Sequence, residues 1–160
     1  MRHSDVRKVI LYYYSIPGML SLLGRERSEL EEEYNSLRAT AMDGMPHGGT
    51  PGKPVEELAA RIADGKTGKR LREIEVKICV LSADAAQIRA CLDALRFEYK
   101  KLLVMKYRNG DNWARIGVHF GRPESTVRRW HDKALARLGE ALEESPMPDE
   151  LLRRASRART

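Results

Sequence analysis

Two cysteines and an aromatic content of 6% are all that 160 residues offer for cross-linking or stacking. The cysteines, Cys79 and Cys91, are twelve positions apart. On a helix that separation is about 18 Å, far beyond disulfide reach. A disulfide scaffold is therefore excluded, and both read as reduced core thiols. No stretch approaches the ~18 consecutive apolar residues of a membrane span, and the first residues carry no small-residue cleavage site after an apolar run. The expected location is the cytoplasm, with no membrane partner.

Chemistry is equally sparse. His3, His47, His119 and His131 show no ligand spacing with one another or with the cysteines, so no metal site is expected. Gly65-Lys66-Thr67 is similar to the end of a phosphate-binding loop, but Ala60 stands where the first glycine belongs and no strand precedes it. No serine or cysteine has a base and an orienting acid at hand. The chain reads as a non-enzyme with no cofactor.

Runs of β-branched residues are missing too, while Ala, Leu, Arg and Glu abound in a chain that is 42% hydrophobic. These are strong helix formers, so the expected fold class is all-α, sized for one ordinary domain or a small globular unit with a helical extension. Net charge is +6. Between Arg96 and Arg137 eleven basic residues face four acidic ones, a surplus of seven that accounts for the whole imbalance and fits a polyanionic partner.

Helical periodicity runs from Asp5 to about Met42, punctuated by Pro17-Gly18, with Leu23, Arg27, Leu30, Tyr34, Leu37 and Ala41 on one seam. Tyr12, Tyr13 and Tyr14, beside Val9, Ile10 and Ile16, read as packing residues. The glycine- and proline-rich segment 43–54 must be a loop, and a short helix follows Pro54 with Val55, Leu58, Ala59 and Ile62 inward. Gly65 and Gly68 then loosen the chain. From Leu71 the repeat is strict: Leu71, Ile74, Ile78, Leu81, Ala85, Ile88, Leu92 and Leu95 alternate spacings of three and four. Such a seam packs against the N-terminal helix in a hairpin or against a second copy, and pairing of copies into a homodimer or higher oligomer is the favoured expectation. The partition is then 1–95 for a helical coiled-coil region, 96–143 for a DNA-binding domain and 144–160 for a mobile basic tail.

The segment from Asp111 to Leu138 has the layout of a helix-turn-helix. Asn112 or Asp111 caps a helix whose inward residues are Trp113, Ile116, Gly117 and Phe120. Gly121 supplies the left-handed turn position, and Pro123 opens the next helix. That helix turns Val127, Trp130, Ala134, Leu135, Leu138 and Leu142 inward. Glu124, Ser125, Arg128 and Arg129 then lie outward near its N-terminal end, where a major-groove reader needs hydrogen-bonding side chains. Arg122 sits just after the turn, where an aliphatic residue is the usual choice, and is expected to reach outward to a phosphate.

The stretch ALRFEYKKLLVMKYRNGDNWARIGVHFGRPESTVRRWHDKALARL resembles the promoter-reading C-terminal region of bacterial sigma factors. The whole layout resembles small phage-encoded sigma-like regulators of the ArpU and RinA type. The resemblance implies a sequence-specific DNA-binding transcriptional regulator of phage or prophage late genes, with double-stranded DNA and RNA polymerase as the expected partners. It implies base contacts at Glu124, Ser125, Arg128 and Arg129. Phosphate contacts are expected at Lys106, Arg108, Asn112, Trp113 (through its backbone), Arg115, Arg122, Thr126 and Lys133. Arg115 stands where that pattern has an acidic residue and Gly117 where it has alanine. Nothing resembles the aromatic-rich segment with which sigma factors melt promoters and grip polymerase, so stand-alone sigma activity is not expected. The rival reading is a DNA-binding assembly protein such as a phage small terminase subunit, although those usually carry the DNA-binding unit at the N-terminus. The detached end of a recombinase would lack its catalytic domain.

Overall fold

A computed structural model of the chain describes residues 1–43 and 65–158. Every regular element among them is helical: α1 His3–Asp43, α2 Lys66–Asp93, α3 Phe97–Leu103 continuing as a π-helical turn Val104–Arg108, α4 Trp113–Phe120, α5 Glu124–Glu143 and α6 Pro148–Arg157. The all-α expectation holds. None of these helices is long and apolar enough to cross a membrane. The loop after Asp43, the helix expected after Pro54 with Val55, Leu58, Ala59 and Ile62, and His47 lie outside the described residues.

Two compact units make up the chain, Met1–Pro17 with Ser82–Thr160 and Gly18–Leu81. These boundaries differ from the partition at residue 95. Pro17-Gly18 marks the division, yet α1 runs through Pro17 without ending. The first residues of α1 therefore belong with the C-terminal helices, and the physical reason is their apolarity: Val6, Val9, Ile10, Tyr12 and Ile16 are buried.

In the Gly18–Leu81 unit, Leu23, Leu30 and Tyr34 of α1 are half-buried and Arg27 is exposed. On α2, Ile74 is buried and Leu71, Ile78 and Leu81 are half-buried. Arg70 Nε donates to Glu26 Oε1 at 2.8 Å between the two helices. The side chains of Leu37 and Ala41 lie outside the described set. In the other unit the same α2 seam continues with Ile88 and Leu92 buried and Ala85 and Leu95 half-buried. Of the eight seam residues three are buried and five half-buried within one chain, and Leu95 lies just past the end of α2. Gly68 does not loosen the chain but lies buried in the first turns of α2. Of the two cysteines only Cys91 is a core thiol. Cys79 is on the exposed side of the helix.

The larger unit has one continuous core, to which α2 gives Ile88 and Leu92, α3 Leu102 and Leu103, α4 Ile116, α5 Val127, Ala134, Leu135, Leu138 and Leu142, and α6 Leu151 and Ala155. The last pair corrects the expectation of a mobile basic tail. Pro148 at the start of α6 has the φ a helix needs, and Leu151 and Ala155 one turn apart form an apolar stripe hidden among arginines. Gln87 Nε2 donates to Ser145 Oγ at 2.8 Å and to the Pro146 carbonyl at 2.6 Å, fixing the connection into α6.

An ion pair on a buried carboxylate completes the attachment. Asp84, 2% exposed, accepts from Arg154 Nε at 2.8 Å, from Arg154 Nη2 at 2.6 Å and from the Tyr12 hydroxyl at 2.7 Å. Burial, and then the adjoining Asp84 carboxylate, push the Tyr12 phenol well above its ordinary range, so it stays a donor. Three helices meet at one carboxylate. Removing one partner of a buried pair leaves the other charge without compensation. Arg154→Ala should therefore lower unfolding stability by about 3 kcal/mol, and Asp84→Leu with Arg154→Leu should cost less than Arg154→Ala alone. Urea titrations followed by far-ultraviolet circular dichroism on the three proteins would check this order.

Candidate nucleic-acid interface

All twelve residues expected at DNA fall in the larger unit, between the π-helical turn and the middle of α5. The two helices of the motif are joined as the sequence predicted. The Asn112 side chain caps α4, accepting from the Arg115 backbone N–H at 2.8 Å. Gly121 ends α4 in the left-handed conformation (φ 59°, ψ 37°). The Arg122 N–H returns to the Gly117 carbonyl at 2.9 Å, which closes the helix end and points the chain into α5. Pro123 precedes α5, and its carbonyl accepts from the N–H groups of Thr126 and Val127.

Gly117 has its own reason. A Cβ placed there would lie 2.8 Å from the Arg122 backbone carbonyl. The alanine of the sigma pattern does not fit this chain's turn.

The inner face of α5 differs from the expectation in one place. Val127, His131, Ala134, Leu135, Leu138 and Leu142 are buried, while Trp130 is half-buried, edge-on to Phe120 at 5.9 Å. His131, 4% exposed, replaces Trp130 at the centre of that face. Its Nε2 is 2.9 Å from the Tyr107 hydroxyl and its Nδ1 is 3.4 Å from Asp132 Oδ1. Arg7 of α1 lies close enough to the same Tyr107 hydroxyl to act on it electrostatically. A neutral imidazole satisfies the set: Asp132 accepts from Nδ1–H, and Nε2 accepts from Tyr107. Burial lowers the His131 pKa first, Arg7 and Lys106 add to the effect, and Asp132 opposes it.

On the outer face Glu124, Ser125, Arg128 and Arg129 are all exposed, within the first two turns of α5. Glu124 Oε2 lies 3.6 Å from Arg128 Nη2, an i,i+4 pair in the favourable order. Arg128 also lies over the Trp113 ring, 5.3 Å from its centroid, and Lys106 Nζ is 4.5 Å from the same centroid. Trp113 and Phe120 are half-buried rather than fully inward.

The remaining residues expected at DNA differ in exposure. Arg108, Asn112, Arg115, Arg122 and Lys133 are exposed, and Lys106 and Thr126 are half-buried. Arg115 pairs with Asp111 at 3.5 Å. Arg122 turns outward, as its charge demands, into a shallow cleft with Arg96, Glu98, Tyr99 and Trp130. The widened π-helical turn, with the Asn109 N–H on the Val104 carbonyl at 3.1 Å, brings Lys106 to the start of α4 and Tyr107 to His131. What the arrangement offers is a fixed helix whose N-terminal outer face carries donors and acceptors, with Lys106 beside it at Trp113. No cluster of three or more metal-ligating side chains occurs among the described residues.

Sequence reasoning missed His131, which breaks an otherwise apolar face, and missed the indole as a seat for two cations. For His131 there was a signal: it lies four residues after Val127 and three before Ala134, squarely on the inward spacing.

Comparison with protein-family models, with curated proteins and with solved structures returned no match.

Two outcomes follow from this geometry. Gly117→Ala should destabilise by about 1–3 kcal/mol through the turn carbonyl, although alanine is the better helix former, and chemical denaturation would show it. For His131 the folded pKa lies below the ordinary value of about 6.5, so its neutral form costs nothing above that pH. Below about pH 6.5 the unfolded chain binds a proton that the fold resists, and stability falls with pH. Thermal midpoints at pH 7.5 and 5.5 should differ less in His131→Phe than in the unaltered chain. An unchanged difference would refute this role for His131.

Proposed function

We propose that this chain is a sequence-specific DNA-binding transcriptional regulator that lays the N-terminal half of α5 in the major groove. The observation that carries the reading is the pairing of two faces on one helix. The inner face is anchored from Val127 to Leu142 in a core shared by five other helices, and the outer face presents Glu124, Ser125, Arg128 and Arg129 together. A side chain can discriminate bases only if its helix is held at a fixed angle. Arg128 or Arg129 suits guanine O6 and N7, and Glu124 suits the cytosine amino group.

Lys106, Arg108, Asn112, Arg115, Arg122, Thr126 and Lys133, with the Trp113 backbone N–H at the start of α4, are the proposed phosphate contacts. These fix register and supply affinity without sequence information. The resemblance to sigma-like phage regulators suggests late-gene control and RNA polymerase as a second partner. One chain carries one reading helix, sufficient for one half-site.

Selection of duplexes from a randomised pool, followed by mobility-shift titration, tests the reading. Arg128→Ala should lose about 1–3 kcal/mol of preference for the selected duplex, whereas Lys133→Ala should weaken all duplexes alike. With about six phosphates neutralised, the log–log salt slope should be about −5. Equal affinity for every duplex would overturn the proposal, and assembly into a large closed ring would favour a packaging role instead.

A further inference from the structure

Arg128 and Arg129 are neighbours in sequence and both exposed, yet their surroundings differ. Arg128 has the Trp113 ring on one contact and the Glu124 carboxylate on another, at 5.3 Å and 3.6 Å. Arg129 has no stacked ring and no ion-pair partner among the described residues. The indole is itself held: the His131 ring meets it edge-on at 5.1 Å with an interplanar angle of 77°, and His131 is fixed by Tyr107. A chain of contacts thus runs from the buried centre of α5, through α4, back to an exposed side chain on the outer face of α5.

We propose that Trp113 is a positioning residue that holds Arg128, together with Glu124, as a preset guanine reader, leaving Arg129 to follow the phosphate backbone. This rests on α5 being the DNA-reading helix. A free arginine loses rotamer entropy when it docks on a base edge; one already stacked and paired has lost most of it beforehand, so more of the contact energy appears as discrimination. The indole suits the task because its face attracts a guanidinium while leaving the N–H groups able to donate. A leucine there would fill the space without attracting the cation.

The positions divide the work. Base preference should follow Trp113 and Arg128 as a unit, and affinity that ignores sequence should follow Arg129.

The full chain with Trp130→Phe keeps Trp113 as its one indole and reports the contact without DNA. Arg128→Ala in that background should shift the emission maximum or intensity of Trp113, and Arg129→Ala should not. With DNA, Trp113→Leu should lower the preference for guanine over other bases in the selected duplex by about two- to fivefold, the ratio expected of a partly exposed cation–π contact. Trp113→Phe should keep most of that preference, and affinity for unselected duplex should stay the same in both. Equal emission changes from Arg128→Ala and Arg129→Ala would overturn the proposal, as would full guanine preference in Trp113→Leu. If Trp113→Leu fails to fold, Trp113→Phe and the emission experiment decide. Absence of any duplex preference in the unaltered chain would defeat the reading of α5 and the guanine reader with it, while the emission result would still report whether the Trp113–Arg128 contact exists.

Discussion

The inner face of α5 is buried along its whole length, and the other features of the larger unit serve or use that burial. Each leucine or valine removed from water on this face contributes about 1.5–3 kcal/mol, and the sum leaves the helix no freedom to roll. α1, α2, α3, α4 and α6 all supply residues to the same core. The proposed DNA-reading role of the exposed charges at the N-terminal end of α5 depends on that anchoring.

Within the core two polar groups are tolerated because each is fully partnered. Asp84 gathers Tyr12 and Arg154, and His131 gathers Tyr107 and Asp132. No buried side-chain nitrogen or oxygen among the described residues lacks a hydrogen-bond partner. The two sites differ in consequence. Asp84 joins α1, α2 and α6, far from the outer face of α5 in sequence, and stabilises the frame. His131 sits directly behind that face and carries its support outward to Trp113.

Local spacing made much of this legible. Alternating threes and fours identified both long helices, Gly121 and Pro123 marked the turn, and the outward set of Glu124, Ser125, Arg128 and Arg129 came from the same periodicity. What spacing could not reveal were contacts between residues distant in the chain. Arg154 and Asp84 are 70 positions apart, and nothing near either one announces the other. The arginines of α6 concealed Leu151 and Ala155, so a docked helix read as a loose tail. The α2 seam was recognised, but a heptad pattern specifies that a face is covered and not by what. His131 was not counted on the inner face because that face was read from apolar residues alone, although its position on the inward spacing was plain.

The most direct test of the central claim is methylation interference on a duplex selected by the full chain, since guanine N7 lies in the major groove and adenine N3 in the minor. The account predicts that methylating one or a few guanines at N7 blocks binding. Interference confined to adenine N3, or none at any base, would contradict it.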